Sequence, residues 1–469
     1  MKKILYYFIS IIFVILGSLI IAEIILQIIP VIYRNLPDIN SDKQYIYIIG
    51  ESSAVGEPYN PKISYYKIFN YMINGKINNK KIEFIELAEA GSFTYEQFYK
   101  YLIYKYTHPF KKGIIFIYCG KNDWTNEKNG DLPQYSKQSI LCSLLGNRQG
   151  LQYDLEKIIL LAKKFGDTVF ISTIEGNYEG FMPNLGSDND AYNKEFKETD
   201  NYILKGKYQK ASELLDKLLL TTDANKSWIF YRIGKICKFT GKIKEANDNF
   251  IKSVSFHYDF RPTQCQNEII KDLAKKYQLE LVDIFGKLYN SGEIIGFNFY
   301  MDNQHPNLKT YMMIARLFVD MVSKKYNVNV NIKRYNSTER EIFENFYFKI
   351  HDEYRAYRHS LDVTLIYSKE KENSNIYVFD KVEEYLKQID LLNPYDEKRK
   401  KIIKSFYNMM YEALKGNKEK VRQIFNDSGL INEDKRLIEA RPCDWKKYNK
   451  WVSDYLGIQD FFDLSKRYI

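Results

Sequence analysis

The feature that most constrains this chain is a succession of short apolar runs, Tyr45 to Ile49, Ile82 to Leu87, Ile114 to Cys119, Thr168 to Thr173 and Leu279 to Ile284, separated by longer stretches of helical periodicity. A strand with one wet face alternates apolar and polar residues; these runs, rich in Ile, Phe and Tyr, are apolar on both faces. They therefore read as buried parallel strands joined by crossover helices. A doubly wound α/β sheet follows, and such sheets carry their sites at the carboxyl ends of the strands.

The rhythm breaks between the fourth and fifth runs, where more than a hundred residues intervene. Gly206, Ala211, Leu215 and Leu218 recur there as Gly241, Ala246, Phe250 and Ser253, a shift of 35 residues. Gly234, seven residues before Gly241, adds a small residue to the first helix of the second copy. The pattern resembles tetratricopeptide (TPR) helical hairpins, in which small residues let two helices approach closely. The resemblance implies an α-helical insertion over residues 195–258, with a protein partner as its expected ligand. The α/β sequence is then expected on both sides of it, over 40–190 and 260–332. From 336 to 469 the pattern is helical throughout, and Gly416, Val421 and Phe425 faintly echo the repeat spacing.

At 469 residues the chain is too long for one ordinary domain, and 45% hydrophobic residues suffice for buried cores. Behind Lys2 and Lys3 runs a nearly uninterrupted apolar stretch from Ile4 to Ala22, continuing to Ile32. That is long enough to cross a hydrocarbon core of ~30 Å. The stretch exceeds a signal peptide's apolar segment and lacks a clear small-x-small cleavage site, so residues 1–35 read as an uncleaved transmembrane helix. The leading lysines place its start in the cytoplasm and the rest of this single-pass protein outside. The net charge of +10, from 69 basic and 59 acidic residues, is interspersed rather than gathered into a basic stripe. A nucleic-acid partner is therefore not expected, whereas anionic lipid or acidic glycan suits the balance. Five cysteines at 119, 142, 237, 265 and 443 show neither C-x-x-C nor an even disulfide framework, and Cys119 reads as a small core residue.

Four short segments carry the residues of chemical interest. Gly50-Glu51-Ser52-Ser53 follows the first run and sets a serine at a strand-to-helix turn, where its hydroxyl stands exposed and its own amide is free to donate. Gly91, after the second run, permits close approach of an oxyanion to its backbone amide. Gly120-Lys121-Asn122-Asp123 ends the third run and offers the Asn122 amide as a neutral donor. Asp302-Asn303-Gln304-His305 can bring a carboxylate to an imidazole within one turn. Each segment in isolation is ordinary loop chemistry. His351 and His359 share a helix but not the spacing of a two-ligand metal motif.

Taken in order, the four segments resemble the four sequence blocks of the SGNH (GDSL-type) hydrolases: G-D-S, a second-block glycine, G-x-N-D and D-x-x-H. The resemblance spans Tyr45 to about Lys325 and is interrupted by the helical insertion. It implies a flavodoxin-like fold with Ser52 as nucleophile, His305 as base and Asp302 as the orienting carboxylate. The oxyanion hole would be the Ser52 amide, the Gly91 amide and the Asn122 side chain, and neither metal nor organic cofactor is implied. Glu51 stands where the family has aspartate, and Lys121 occupies the variable third-block position. The expected activity is hydrolysis of acyl esters, O-acetyl groups of envelope glycans foremost, or lipid esters. Transfer of the acyl group to a second sugar, or a scaffold with a relic site, are the alternatives.

Overall fold

The computed structural model describes residues 42–123, 150–183, 192–221, 226–255, 261–369, 377–395 and 397–428, together with positions 18, 28, 30 and 32. The expected N-terminal span, Cys142, Cys443 and everything beyond 428 otherwise lie outside the described residues. No helix among the described residues is long and apolar enough to cross a membrane.

The protein is mixed α/β, built on one mostly parallel sheet. Strands β1 (Lys43–Gly50), β2 (Lys76–Ile77), β3 (Lys80–Glu86), β4 (Gly113–Tyr118), β5 (Thr168–Ser172) and β6 (Glu280–Val282) lie in the order β2-β3-β1-β4-β5-β6. The five apolar runs become the five parallel strands. β2 is an antiparallel edge strand that the sequence analysis did not register. Its hairpin turns through Asn78 and Asn79 at φ 50° and 65°, the left-handed pair that a two-residue hairpin requires.

Because β1 lies between β3 and β4, the strand order reverses beside β1, and such a reversal opens a crevice at the carboxyl ends of the strands. Helices cover both faces. Phe116 of β4 packs against Phe69 of the helix Tyr65–Met72 and Phe318 of the helix Leu308–Tyr326. On the opposite face Tyr47 of β1 meets Tyr101 of the helix Thr94–Thr107. Burial on both sides is why β1, β4 and β5 read as continuous apolar runs, whereas β3 and β6 keep half-buried charged residues such as Glu83 and Glu280.

Between β5 and the crossover helix Gln264–Tyr277 that leads to β6, the described residues leave the sheet as four helices, α1 (Asn193–Leu204), α2 (Tyr208–Leu219), α3 (Lys226–Phe239) and α4 (Ile243–Val254). They pair as two hairpins, turning at Gly206 and Gly241 with φ 67° and 78°. A Cβ on Gly234 would stand 2.6 Å from the Phe250 ring, so glycine there sets how closely α3 approaches α4. The hairpins are docked rather than tethered. Glu179, on the loop after β5, accepts hydrogen bonds from Lys235 (2.5 Å) and Lys238 (2.7 Å), and the Tyr231 hydroxyl donates to the Glu179 carbonyl (2.8 Å). Asn247 bonds the Glu293 carbonyl and the Ile295 amide, both at 2.9 Å. The C-terminal helices α5 (Ile350–Lys369), α6 (Phe379–Leu392), α7 (Glu397–Leu414) and α8 (Lys418–Ser428) pack on the rest, their core continuous with that of the sheet. The faint echo of the repeat falls on a real hairpin, since α7 and α8 pair across Gly416 at φ 75°.

The Glu179 contact makes the docking sensitive to acid. Burial opposes ionisation of its carboxyl, but the charges of Lys235 and Lys238 outweigh that cost and hold its pKa at about 2, below the ordinary 4.5. A carboxylate with a lowered folded pKa stabilises the fold above its unfolded value and ceases to do so as pH falls through the folded one. Glu179→Gln leaves Lys235 buried without its charge partner, at a cost of about 3 kcal/mol near neutral pH. The difference between wild type and variant in urea titrations should hold above pH 4.5 and shrink between pH 4.5 and about 2. A difference independent of pH would show that the pair does not dock the hairpins.

Candidate active site

β1 ends at Gly50 because nothing larger fits: a Cβ there would lie 2.3 Å from the Tyr118 carbonyl oxygen and 2.5 Å from the Ala54 methyl. The chain turns at once into a single helical turn, Ser52–Val55, which closes at Gly56 with φ 110°. Glu51 faces inward, accepting from the backbone amides of Gly120 (2.8 Å) and Lys121 (3.1 Å). It thereby ties the serine turn to the loop after β4. Burial first, and then the charge of Asp123, push its pKa above the usual carboxylate range.

Ser52 meets a residue more than 250 positions away in sequence. Its hydroxyl lies 2.9 Å from His305 Nε2, and His305 Nδ1 lies 2.7 Å from Asp302 Oδ2. The second Asp302 oxygen accepts from the amides of Gln304 (3.0 Å) and His305 (2.8 Å), so one carboxylate shapes the turn and orients the ring together. Burial pushes the Asp302 carboxyl up, but attraction to His305, the hydrogen bond from its ring and the neighbouring His359 hold it below the ordinary range. With the Nδ1 proton engaged by a carboxylate, Nε2 of the neutral ring is left to accept from Ser52. The turn is held from outside by Asn177, which donates to the Asp302 carbonyl at 2.8 Å, and by the Tyr385 hydroxyl of α6, which donates to the Met301 carbonyl.

Gly91 and Asn122 stand on the loops after β3 and β4, the two neighbours of β1. The Asn122 side chain donates to the Ser92 carbonyl at 2.8 Å, linking the two loops. Glu89 donates its amide to the Gly50 carbonyl at 3.1 Å, bringing the Gly91 loop against the serine turn. Gly91 is exposed, with φ 79° and open space where a side chain would be. Among the described residues no acceptor meets the amides of Ser52 and Gly91.

Two features escaped the sequence analysis. Lys121 is buried, and its three N–H groups find three acceptors: Glu175 at 2.8 Å, the Ser53 hydroxyl at 3.2 Å and the Gln304 carbonyl at 3.3 Å. It joins the ends of β4 and β5 to the serine turn and the Asp302 to His305 turn. The second feature is His359 of α5, whose ring centroid lies 5.5 Å from that of His305. Asp302, His305 and His359 each offer a metal-ligating atom, mutually within 4.8 Å. The Asp302 carboxylate and both His305 nitrogens already hold contacts within the Ser52 relay, so a metal would have to break it. Comparison with protein-family models, curated proteins and solved structures finds no match for this chain.

The Lys121 network yields a test of its own. Lys121→Met leaves Glu175 charged in the interior and should cost about 3 to 5 kcal/mol. Adding Glu175→Gln removes the uncompensated charge, and most of the loss should return. If denaturant unfolding showed the double variant no more stable than the single one, the two groups would not be acting as a buried pair.

Proposed function

We propose that this chain is a serine esterase of the SGNH hydrolase kind, acting on acyl esters and on O-acetyl esters first. The observation that carries the reading is the continuous relay from the Ser52 hydroxyl through the His305 ring to the Asp302 carboxylate, at 2.9 and 2.7 Å. The arrangement of a parallel sheet with β1 between β3 and β4, and with all four motif loops at the strands' carboxyl ends, supports a flavodoxin-like SGNH fold.

In this reading His305 takes the Ser52 proton as the oxygen attacks the ester carbonyl, and Asp302 stabilises the resulting imidazolium. The oxyanion is received by the Ser52 and Gly91 amides and the Asn122 side chain, one of whose two N–H groups already fixes the loop through Ser92. His305 then gives its proton to the departing alkoxide, leaving an acyl group on Ser52. Attack by water, with His305 again as base, releases the acid and restores the serine. Outward display on an N-terminal membrane anchor, with TPR-like hairpins available to a partner, completes the proposal.

A fluorophosphonate should label Ser52 in the wild type, and mass spectrometry of the labelled peptide reads the result. His305→Ala and Ser52→Ala should each lower turnover of an activated acetyl ester by several orders of magnitude, with the double variant close to either single one. Asn122→Ala should lose about 10²- to 10³-fold in turnover while Ser52 still labels. Full activity in His305→Ala would end the esterase reading. Unchanged activity in Asn122→Ala would remove only the third oxyanion donor.

A further inference from the structure

Helix α5 supplies no atom to the mechanism above, yet one of its faces is turned toward it. His351, Arg355, Arg358, His359 and Asp362 recur at helical spacing and line a cavity of about 440 Å³. The facing wall includes Glu57, Pro58, Asn60 and Pro61, which directly follow the helical turn carrying Ser52. Two contacts bind this cavity to the relay. The Glu57 amide donates to the Ser52 carbonyl at 3.0 Å, and His359, part of the cavity wall, lies beside His305 at 5.5 Å between ring centroids.

We propose that this cavity is the subsite for the alcohol portion of the ester, and that it takes a neutral, hydroxyl-rich group, that is, a sugar residue; the assignment rests on the esterase reading above. Its volume falls within the range of small-molecule sites, about 300 to 1,000 Å³. The charges on its walls largely neutralise one another. Asp352 is matched by Lys62 at 2.7 Å, while Arg358 and Asp362 meet through the Tyr407 hydroxyl, which accepts from the first at 3.0 Å and donates to the second at 2.8 Å. Arg355 and Glu57 remain, one of each sign, so no field builds up that would select a polyanion. A fatty acyl chain finds only Pro58, Pro61, Phe348 and Tyr395 as apolar or aromatic wall. What the cavity offers is donors and acceptors side by side, from arginine, histidine, asparagine and carboxylate, which is what a hydroxyl group needs because it both donates and accepts. The C-terminal helical region thereby acquires a role, as the specificity wall of a site whose chemistry lies on other loops.

Binding and turnover test this separately. The full-length Ser52→Ala protein is titrated by ligand-observed NMR with xylo-, cello- and chito-oligosaccharides, and with inositol hexakisphosphate and decanoate for comparison. At least one neutral oligosaccharide should bind, with affinity about tenfold weaker in Arg355→Ala, which removes a partly exposed donor, and in His351→Trp, which fills the rim. In the Ser52-containing protein Arg355→Ala should raise KM for acetylated xylan about tenfold with little change in kcat. Absence of oligosaccharide binding, binding indifferent to both substitutions, or tighter binding of the phosphate or the fatty acid would overturn the assignment. Sugar binding that persists in a protein whose Ser52 resists the fluorophosphonate would keep the cavity and reject the esterase.

Discussion

The Asp302 carboxylate is the constraint on which the site depends. It is fully buried, and a buried charge survives only if its acceptors are filled. Asp302 fills them with two backbone amides of its own turn and with the His305 ring, so satisfying the charge and aiming the imidazole are one event. The outer layer serves the same end. Asn177 and Tyr385 hold the turn's carbonyls, and Lys121 holds the Gln304 carbonyl from below. Through Lys121 the same ammonium reaches the Ser53 hydroxyl, next to Ser52, so both ends of the relay share a support.

The chain fixes several of its helices in the same way, with buried charges whose partners are all supplied. Glu179 with Lys235 docks the helical hairpins, and Asp200 with Arg232 locks α1 to α3, with Tyr377 of the C-terminal region donating to the same carboxylate at 2.8 Å. Lys105 with Asp167 anchors the helix Thr94–Thr107 beneath β4, whose first amide also donates to Asp167. Ion pairs of this kind contribute little net stability compared with apolar packing, because desolvation offsets the attraction. Their value lies in direction: an unpaired partner is so costly that misdocked arrangements are excluded. A chain that interrupts its sheet with helices and caps it with more of them needs such specificity.

The division between sequence and structure follows from the range of the interactions concerned. The three central strands β1, β4 and β5 were legible because a strand buried on both faces must be apolar throughout, and β3 and β6 because their apolar residues still cluster in short runs, properties local to each segment. The hairpins were legible because their turn glycines and small packing residues repeat at a fixed interval, and the Asp302 to His305 turn because its partners are three residues apart. β2 was not, since two residues carry no pattern. Nor were the roles of Lys121 and His359. A lysine in a loop and a histidine on a helix announce nothing locally; what distinguishes them is the company of Glu175, Gln304 and His305, drawn together by strand order and by the packing of α5 against the site. Composition and spacing therefore determined which segments are strands, helices and candidate turns. Only the tertiary structure decided that one buried ammonium would find three acceptors from three segments, and that α5 would bring His359 beside His305, because those outcomes depend on contacts between residues far apart along the chain.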